Sequence, residues 1–206
     1  MKRFLLSKSM LCLFLLGLVC NMSWAQPTVS PAPKDGQWAE GTTWYQIKTG
    51  NGYYFRSDVL DESKLALTRT SSEVGKASLW CITGNETDGF TFYNYAKGAN
   101  APLGMKGSGA SAYAEFVTDA TGYTTTFDFT ESKKEGDYWC VKEHGSEKNY
   151  WNRQNNRLAY WNSTDAVNGW GNSGTGDDGS ALMFIKIEYV EASLVLKVFG
   201  AEDVTI

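Results

Sequence analysis

Three segments of this chain repeat one rhythm of rings and apolar residues: "WYQIKTGNGYYFRSDVLDESKLALT", "LWCITGNETDGFTFYNYAKGANAPLGM" and "FDFTESKKEGDYWCVKEHGSEKNYW". Each opens with a ring, a spacer and an apolar residue, at Tyr45/Ile47, Trp80/Ile82 and Phe127/Phe129. Each then passes a glycine-bearing turn into a second pair, Tyr53/Phe55, Phe90/Phe92 and Tyr138/Cys140. A third strand is expected 12 or 13 residues later, at Leu65/Leu67, Leu103/Met105 and Tyr150. Spacing of i and i+2 sends each pair to one side of its strand. A weaker fourth strand is expected near Val74, at Tyr113–Phe116 and at Leu158–Trp161, and "ALMFIKIE" (181–188) supplies a last one through Ile185 and Ile187. No such unit can bury its apolar side alone, but three packed about a threefold axis can, with hairpins capping a closed barrel.

Composition agrees with an all-β chain. Glycine stands at 21, proline at 4 and aromatics at 14%, and no amphipathic helix is evident between about residues 41 and 188. Short strands joined by glycine turns fit that profile.

The chain opens "MKRFLLSKSMLCLFLLGLVCNMSWAQ". Lys2, Arg3 and Lys8 precede an apolar run from Met10 to Val19, and Ser23-Trp24-Ala25 places small residues where a signal peptidase reads them. Residues 1–25 are therefore expected to be a secretory signal. The rival, a lipid anchor at Cys20, is disfavoured by the branched Val19 beside it. Export would place the protein outside the cell, or in the periplasm or at the surface of a Gram-negative bacterium. Cleavage after Ala25 leaves 181 residues, with 16 basic and 23 acidic side chains and a net charge of −7. One domain is expected from that length. An acidic exported chain without a basic run is a poor partner for nucleic acid or anionic lipid, and no other apolar run is long enough to span a bilayer.

Residues 26–40, with three of the four prolines, read as an extended linker, 41–190 as the domain, and 191–206 as an extension that could begin a further domain. The chain resembles a ricin-B-like β-trefoil lectin domain of the kind found in secreted bacterial proteins that handle glycans. The residues carrying the resemblance are the ring-x-Ile/Phe strand openings and the closing "DDGSALMFIKI", spread over 41–190. Units of the ricin type carry Gln-x-Trp, whereas this chain has Ser78-Leu79-Trp80 once and no Gln-x-Trp. The resemblance thus implies the architecture more than any particular sugar site.

Chemistry is sparse. The sole histidine, His144, lies in the polar turn "KEHGSEK", a poor setting for nucleophilic catalysis. No phosphate loop, dinucleotide fingerprint or zinc-protease motif occurs, and no cofactor is expected. Asp177 and Asp178 in "GNSGTGDDGS" (171–180) are too few oxygens for a calcium site, so that stretch reads as a flexible connection. Alternation places Cys81 outward and Cys140 inward, which disfavours a disulfide between them.

The strongest binding candidate is "NYWNRQNNRLAYWN" (149–162). With Tyr150 taken as core, Trp151 and Arg153 point outward. After the Asn155-Asn156 turn, Leu158 and Tyr160 point inward and Trp161 outward beside Trp151. Trp151, Trp161 and Trp170 would then offer flat rings to the apolar face of a sugar, with Asn152, Arg153 and Asn162 meeting its hydroxyl edge. The alternative is that these tryptophans pack beneath the 163–180 loop. "FYNYAKG" (92–98) is a weaker second candidate. Three functions stay open: a non-catalytic glycan-binding module, an accessory module leading a secreted glycoside hydrolase, and a protein-binding or structural trefoil. Residues 188–206, apolar to the end, motivate the second.

Overall fold

The computed structural model describes residues 26–58, 65–68, 74–161, 175–187, 195–196 and 204–205. Its strands are β1 (Trp44–Thr49), β2 (Tyr54–Arg56), β3 (Ala66–Thr68), β4 (Trp80–Asn85), β5 (Gly89–Asn94), β6 (Leu103–Lys106) and β7 (Tyr113–Phe116). They continue with β8 (Phe127–Glu131), β9 (Trp139–Glu143), β10 (Tyr150–Gln154), β11 (Arg157–Trp161), β12 (Leu182–Ile187), β13 (Val195–Leu196) and β14 (Val204–Thr205). Three short 3-10 turns, at Lys76–Ser78, Tyr95–Lys97 and Gly109–Ser111, are the helical elements described.

Six strands close a ring. β12 pairs with β1, β1 with β4, β4 with β5, β5 with β8, β8 with β9, and β9 with β12 again. The three long ladders of this ring are hairpin-like, and single-residue steps join them: Tyr45 opposite Trp80, Phe90 opposite Phe127, and Trp139 opposite Leu182. The same step taken three times is a pseudo-threefold axis. Three further hairpins, β2–β3, β6–β7 and β10–β11, cap one end of the ring. Closure removes the edges that an open sheet of this size would expose.

Alternation along the strands turns Ile47, Ile82, Phe92, Phe127, Val141 and Leu182 into the barrel, and the caps add Phe55, Leu103, Met105 and Trp151. Each such side chain is worth roughly 1.5–3 kcal/mol when removed from water. Trp80 also donates its indole N–H to the Phe55 carbonyl (3.2 Å), fixing the first cap on the barrel. Turn chemistry sets the β4–β5 hairpin: Asn85 Oδ1 accepts from the amides of Thr87 and Asp88 (2.8 and 3.0 Å). Gly84 in that hairpin has φ +102°, and a side chain there would meet the Gly89 carbonyl oxygen at 2.2 Å.

The repeat is phased one strand later than the sequence suggests. β1 is equivalent to β5 and β9, not to β4 and β8, because its hairpin partner β12 comes from the far end of the domain. The three units are therefore 44–85, 89–131 and 139–187. No strand is described at Val74, which is exposed, and the first unit's fourth strand is β4 itself.

The cysteines also differ from expectation. In β9 it is Val141 that joins the barrel core, so Cys140 faces outward, beneath the Thr175 carbonyl. Cys81 does face outward, yet it is sealed by Trp44 and Leu79, with Trp38, Tyr93, Tyr95 and Ile187 packed around them. Both thiols are buried, and no disulfide joins them. β4 and β9 stand opposite each other across the six-stranded ring, so two outward cysteines on them cannot meet.

Residues 26–40 lie along the barrel instead of standing off as a linker. Thr28 N donates to the Tyr45 hydroxyl (2.7 Å), Ser30 N to the Ile82 carbonyl (2.7 Å), and Thr43 N to Ser30 Oγ (2.9 Å). Trp38 packs edge-on against Trp44 at 5.0 Å. The expected signal, 1–25, lies outside the described residues, as does most of 191–206. Of that extension the antiparallel pair β13–β14 is described.

Candidate functional site

The third cap carries the expected site, and its ladder decides which side chains can meet. Tyr150 lies opposite Trp161, Trp151 opposite Tyr160, Asn152 opposite Ala159, and Arg153 opposite Leu158. Residues directly opposite in an antiparallel pair share a face. Trp151 therefore shares its face with Tyr160, and Trp161 shares the other with Tyr150. The two tryptophans expected side by side stand on opposite faces of the hairpin.

Trp151 is fully buried. Its indole packs between Phe127 (4.7 Å between centroids), Phe92 (4.8 Å) and Phe55 (6.2 Å), at the centre of the barrel's capped end. The expectation that it lines an outward site is corrected: it is core. Tyr150, expected as core, is buried on the opposite face.

Asn152 is also withdrawn from any ligand. It is 2% exposed, and its Nδ2 donates to Asp177 Oδ1 (2.6 Å) and Ser180 Oγ (2.9 Å) while its Oδ1 accepts from Gln154 Nε2 (2.6 Å). Asp177 Oδ1 in turn accepts the Gly179 amide (2.7 Å), and Arg153 N donates to the Gly179 carbonyl (3.0 Å). Residues 175–181, expected as part of a flexible connection, are thus bonded to the outer face of β10. Lys134 adds an ion pair to Asp178 (2.6 Å).

Arg153 is a clamp between units. Its guanidinium lies over the Tyr53 ring at 4.2 Å, and its Nη1 donates to the Asn155 carbonyl (2.7 Å). The Asn51 carboxamide oxygen accepts from Arg153 Nε (3.0 Å) and Nη2 (3.3 Å), and its nitrogen donates to Thr49 Oγ1 (2.7 Å). Most of the donors expected to meet a sugar edge are occupied by the chain itself.

Trp161 is the expected ring that stays partly exposed, on the face away from the barrel core. Its indole N–H is buried without a hydrogen-bond partner among the described residues. Asn162 and Trp170 lie outside the described residues. In the second candidate stretch, Asn94 is buried and donates to the Ala77 and Leu79 carbonyls (2.9 and 3.1 Å), while Tyr93 and Tyr95 pack around Trp38.

Solved structures share this arrangement. A ricin B-like lectin from Macrolepiota procera, determined in complex with lactose, matches 79% of this chain and 100% of its own at 12% identity, with a TM-score of 0.54. The fold is a β-trefoil, shared with that ricin B-like lectin. A GlcNAcα1-4Gal-releasing endo-β-galactosidase from Clostridium perfringens matches 76% of the chain but only 35% of its own length (13% identity, TM-score 0.51). A proteinase inhibitor from Coprinopsis cinerea matches 72% of the trefoil chain and 100% of its own (9% identity, TM-score 0.51). No family model and no curated protein matches in sequence.

His144 is expected from the sequence to lie in a solvent-like turn. In the trefoil it is half-buried, with Nδ1 2.6 Å from Asp128 Oδ1, and Asp128 Oδ2 accepts the Gly145 amide (3.0 Å). This pair pins the turn after β9 onto β8, and its geometry is that of a turn support. Among the described residues no cluster of three or more His, Cys, Asp or Glu side chains could hold a metal. None of the described helices is long and apolar enough to cross a membrane. Trp139, a spacer between Tyr138 and Cys140 in the sequence rhythm, is a barrel-end ring that the sequence alone does not reveal. Its place opposite Leu182 shows only once β12 is known to close the ring.

Proposed function

We propose that this trefoil is a secreted, non-catalytic glycan-binding module whose third cap presents Trp161 to a saccharide ring. One observation carries the reading: Trp161 faces away from the core and stays partly open, while every other described side chain of the expected site is engaged within the fold. A flat indole buries the weakly apolar C–H face of a pyranose. The scaffold is one that a lactose-binding lectin also uses, and fold alone does not confer function. Export rests on the leader-like sequence of residues 1–25.

The test is glycan-array binding by the protein and by Trp161→Ala. Loss of binding with an unchanged melting temperature supports the reading. A large fall in stability would instead assign Trp161 to packing.

A second reading, an accessory module of a larger glycoside hydrolase, is favoured by one fact. The same fold forms about a third of the endo-β-galactosidase chain that this one resembles. A catalytic domain continuing the same reading frame supports this reading. Binding to proteins, with none to glycans, would point to a protein-binding trefoil.

A further inference from the structure

The barrel has a second open end, opposite the caps, where the β4–β5 and β8–β9 turns lie. Residues 26–28 cross it. On one side of them is a cleft of about 280 Å³ lined by Gln26, Thr28, Tyr45, Asp137, Trp139 and Phe184. Gln26 also borders a second opening of about 290 Å³ beside Phe90 and Asp128.

The first cleft has the composition of a sugar site. Trp139 is half-buried and held edge-on by Phe129 (6.1 Å, 83°), so its ring is positioned before any ligand arrives. Phe184 is likewise half-buried and packs edge-on against Tyr45 (6.2 Å, 86°) and Phe129 (5.5 Å, 76°). The Tyr45 hydroxyl accepts from Thr28 N and donates to no described group, so a buried tyrosine brings an unused O–H donor to the cleft. Gln26 and Thr28 can both donate and accept, and Asp137 accepts. Hydroxyls of a neutral sugar need that mixture. Asp137 is the sole charged side chain among the described lining residues, and cleavage after Ala25 would set the Gln26 α-amino group beside it, a balance that suits a neutral sugar. The volume lies near the small end of the roughly 300–1,000 Å³ range of small-molecule sites, enough for one ring.

We propose that this cleft is a second saccharide site, holding one neutral pyranose ring against Trp139 at the end of the barrel opposite the caps. The ligand class rests on the glycan-binding reading, and the location does not. Titration of the full-length protein with the methyl glycosides of glucose, galactose and N-acetylglucosamine, followed by NMR of the tryptophan indole N–H signals, tests it. The Trp139 signal is expected to shift saturably with at least one of them. Asp137→Ala, in an exposed turn, should weaken that binding about tenfold by the Trp139 signal, and Trp139→Leu should weaken it similarly by calorimetry, while Trp161→Ala leaves it unchanged. A Trp139 signal unmoved by all three sugars overturns the proposal, as does a saturable shift that survives Asp137→Ala at full strength. Tighter binding of choline than of any neutral glycoside would make the cleft a cation site and overturn it too. Array binding that depends on Trp161 alone would overturn this site and leave the cap reading standing.

Discussion

The Trp151 indole meets the Phe127 ring at 4.7 Å between centroids and 69° between planes, joining the third cap to a barrel strand from the second unit. The contact makes Trp151 a keystone. Trp151→Ala is therefore expected to cost about 3–5 kcal/mol, through lost burial and the cavity left among Phe55, Phe92 and Phe127. Trp151→Phe should cost much less, because it keeps a ring and removes an indole N–H that has no partner among the described residues. Urea denaturation of both variants checks the pair. A Trp151→Ala protein as stable as the parent would contradict the packing.

Much of the barrel is legible in the sequence because its signal is local. Tyr45/Ile47, Trp80/Ile82 and Phe127/Phe129 declare their alternation within a few residues, and each does face the core. The phase of the repeat is not local. It depends on β12 pairing with β1 across the whole domain, and without that pairing β1 looks like the partner of β2. The third cap fails for a related reason. Its turn and its two strands can be read, but the choice between Tyr150 and Trp151 as the inward residue is a one-residue register decision that flips every side chain. Covering layers hide the remainder: Cys81 and Asn152 sit on outward faces that residues 26–40 and 175–181 later bury.

Asn152 and Asp177 give a charge-based test of that covering layer. Asn152→Ala leaves Asp177 and Ser180 without their buried donor and is expected to cost about 1–3 kcal/mol. Asn152→Asp places a second carboxylate 2.6 Å from Asp177 Oδ1 and should be worse than alanine at neutral pH. The repulsion raises the folded pair's affinity for a proton above the unfolded value. The aspartate variant must therefore lose stability as pH rises through and above about 4 and regain it below. Melting curves from pH 3 to pH 7 would show this as a slope absent from the alanine variant.

The Arg153 clamp should resist salt. Its side-chain partners among the described residues, Tyr53 and Asn51, are neutral, so no ion pair to a described carboxylate is there to be screened. Arg153→Lys keeps the charge but loses the flat stacking and the paired donors, and about 1 kcal/mol of stability is expected to go with them. A double-mutant cycle with Tyr53→Leu should return a coupling of similar size at low and high salt. Coupling that vanishes in high salt would mean that the guanidinium acts through carboxylates instead.

The two cysteines fix an alkaline limit. Burial pushes the thiols of Cys81 and Cys140 up to about 12 from an ordinary value of 9.0. At neutral pH both stay protonated and shielded, so a disulfide-forming thiol reagent should react with them only as fast as the protein unfolds. The unfolded chain releases these protons from about pH 9 upward, while the folded chain holds them until about pH 12. Between those limits the folded state binds more protons, so stability must fall as pH rises. The double variant Cys81→Ala, Cys140→Ala should begin less stable at pH 8, from two small cavities, yet lose less between pH 9 and pH 11. Tyr160, whose phenol burial also raises, contributes a share of the fall that this variant leaves in place. Equal slopes for parent and variant over that range would mean that the thiols ionise in the folded protein, and that the layers over β4 and β9 admit water.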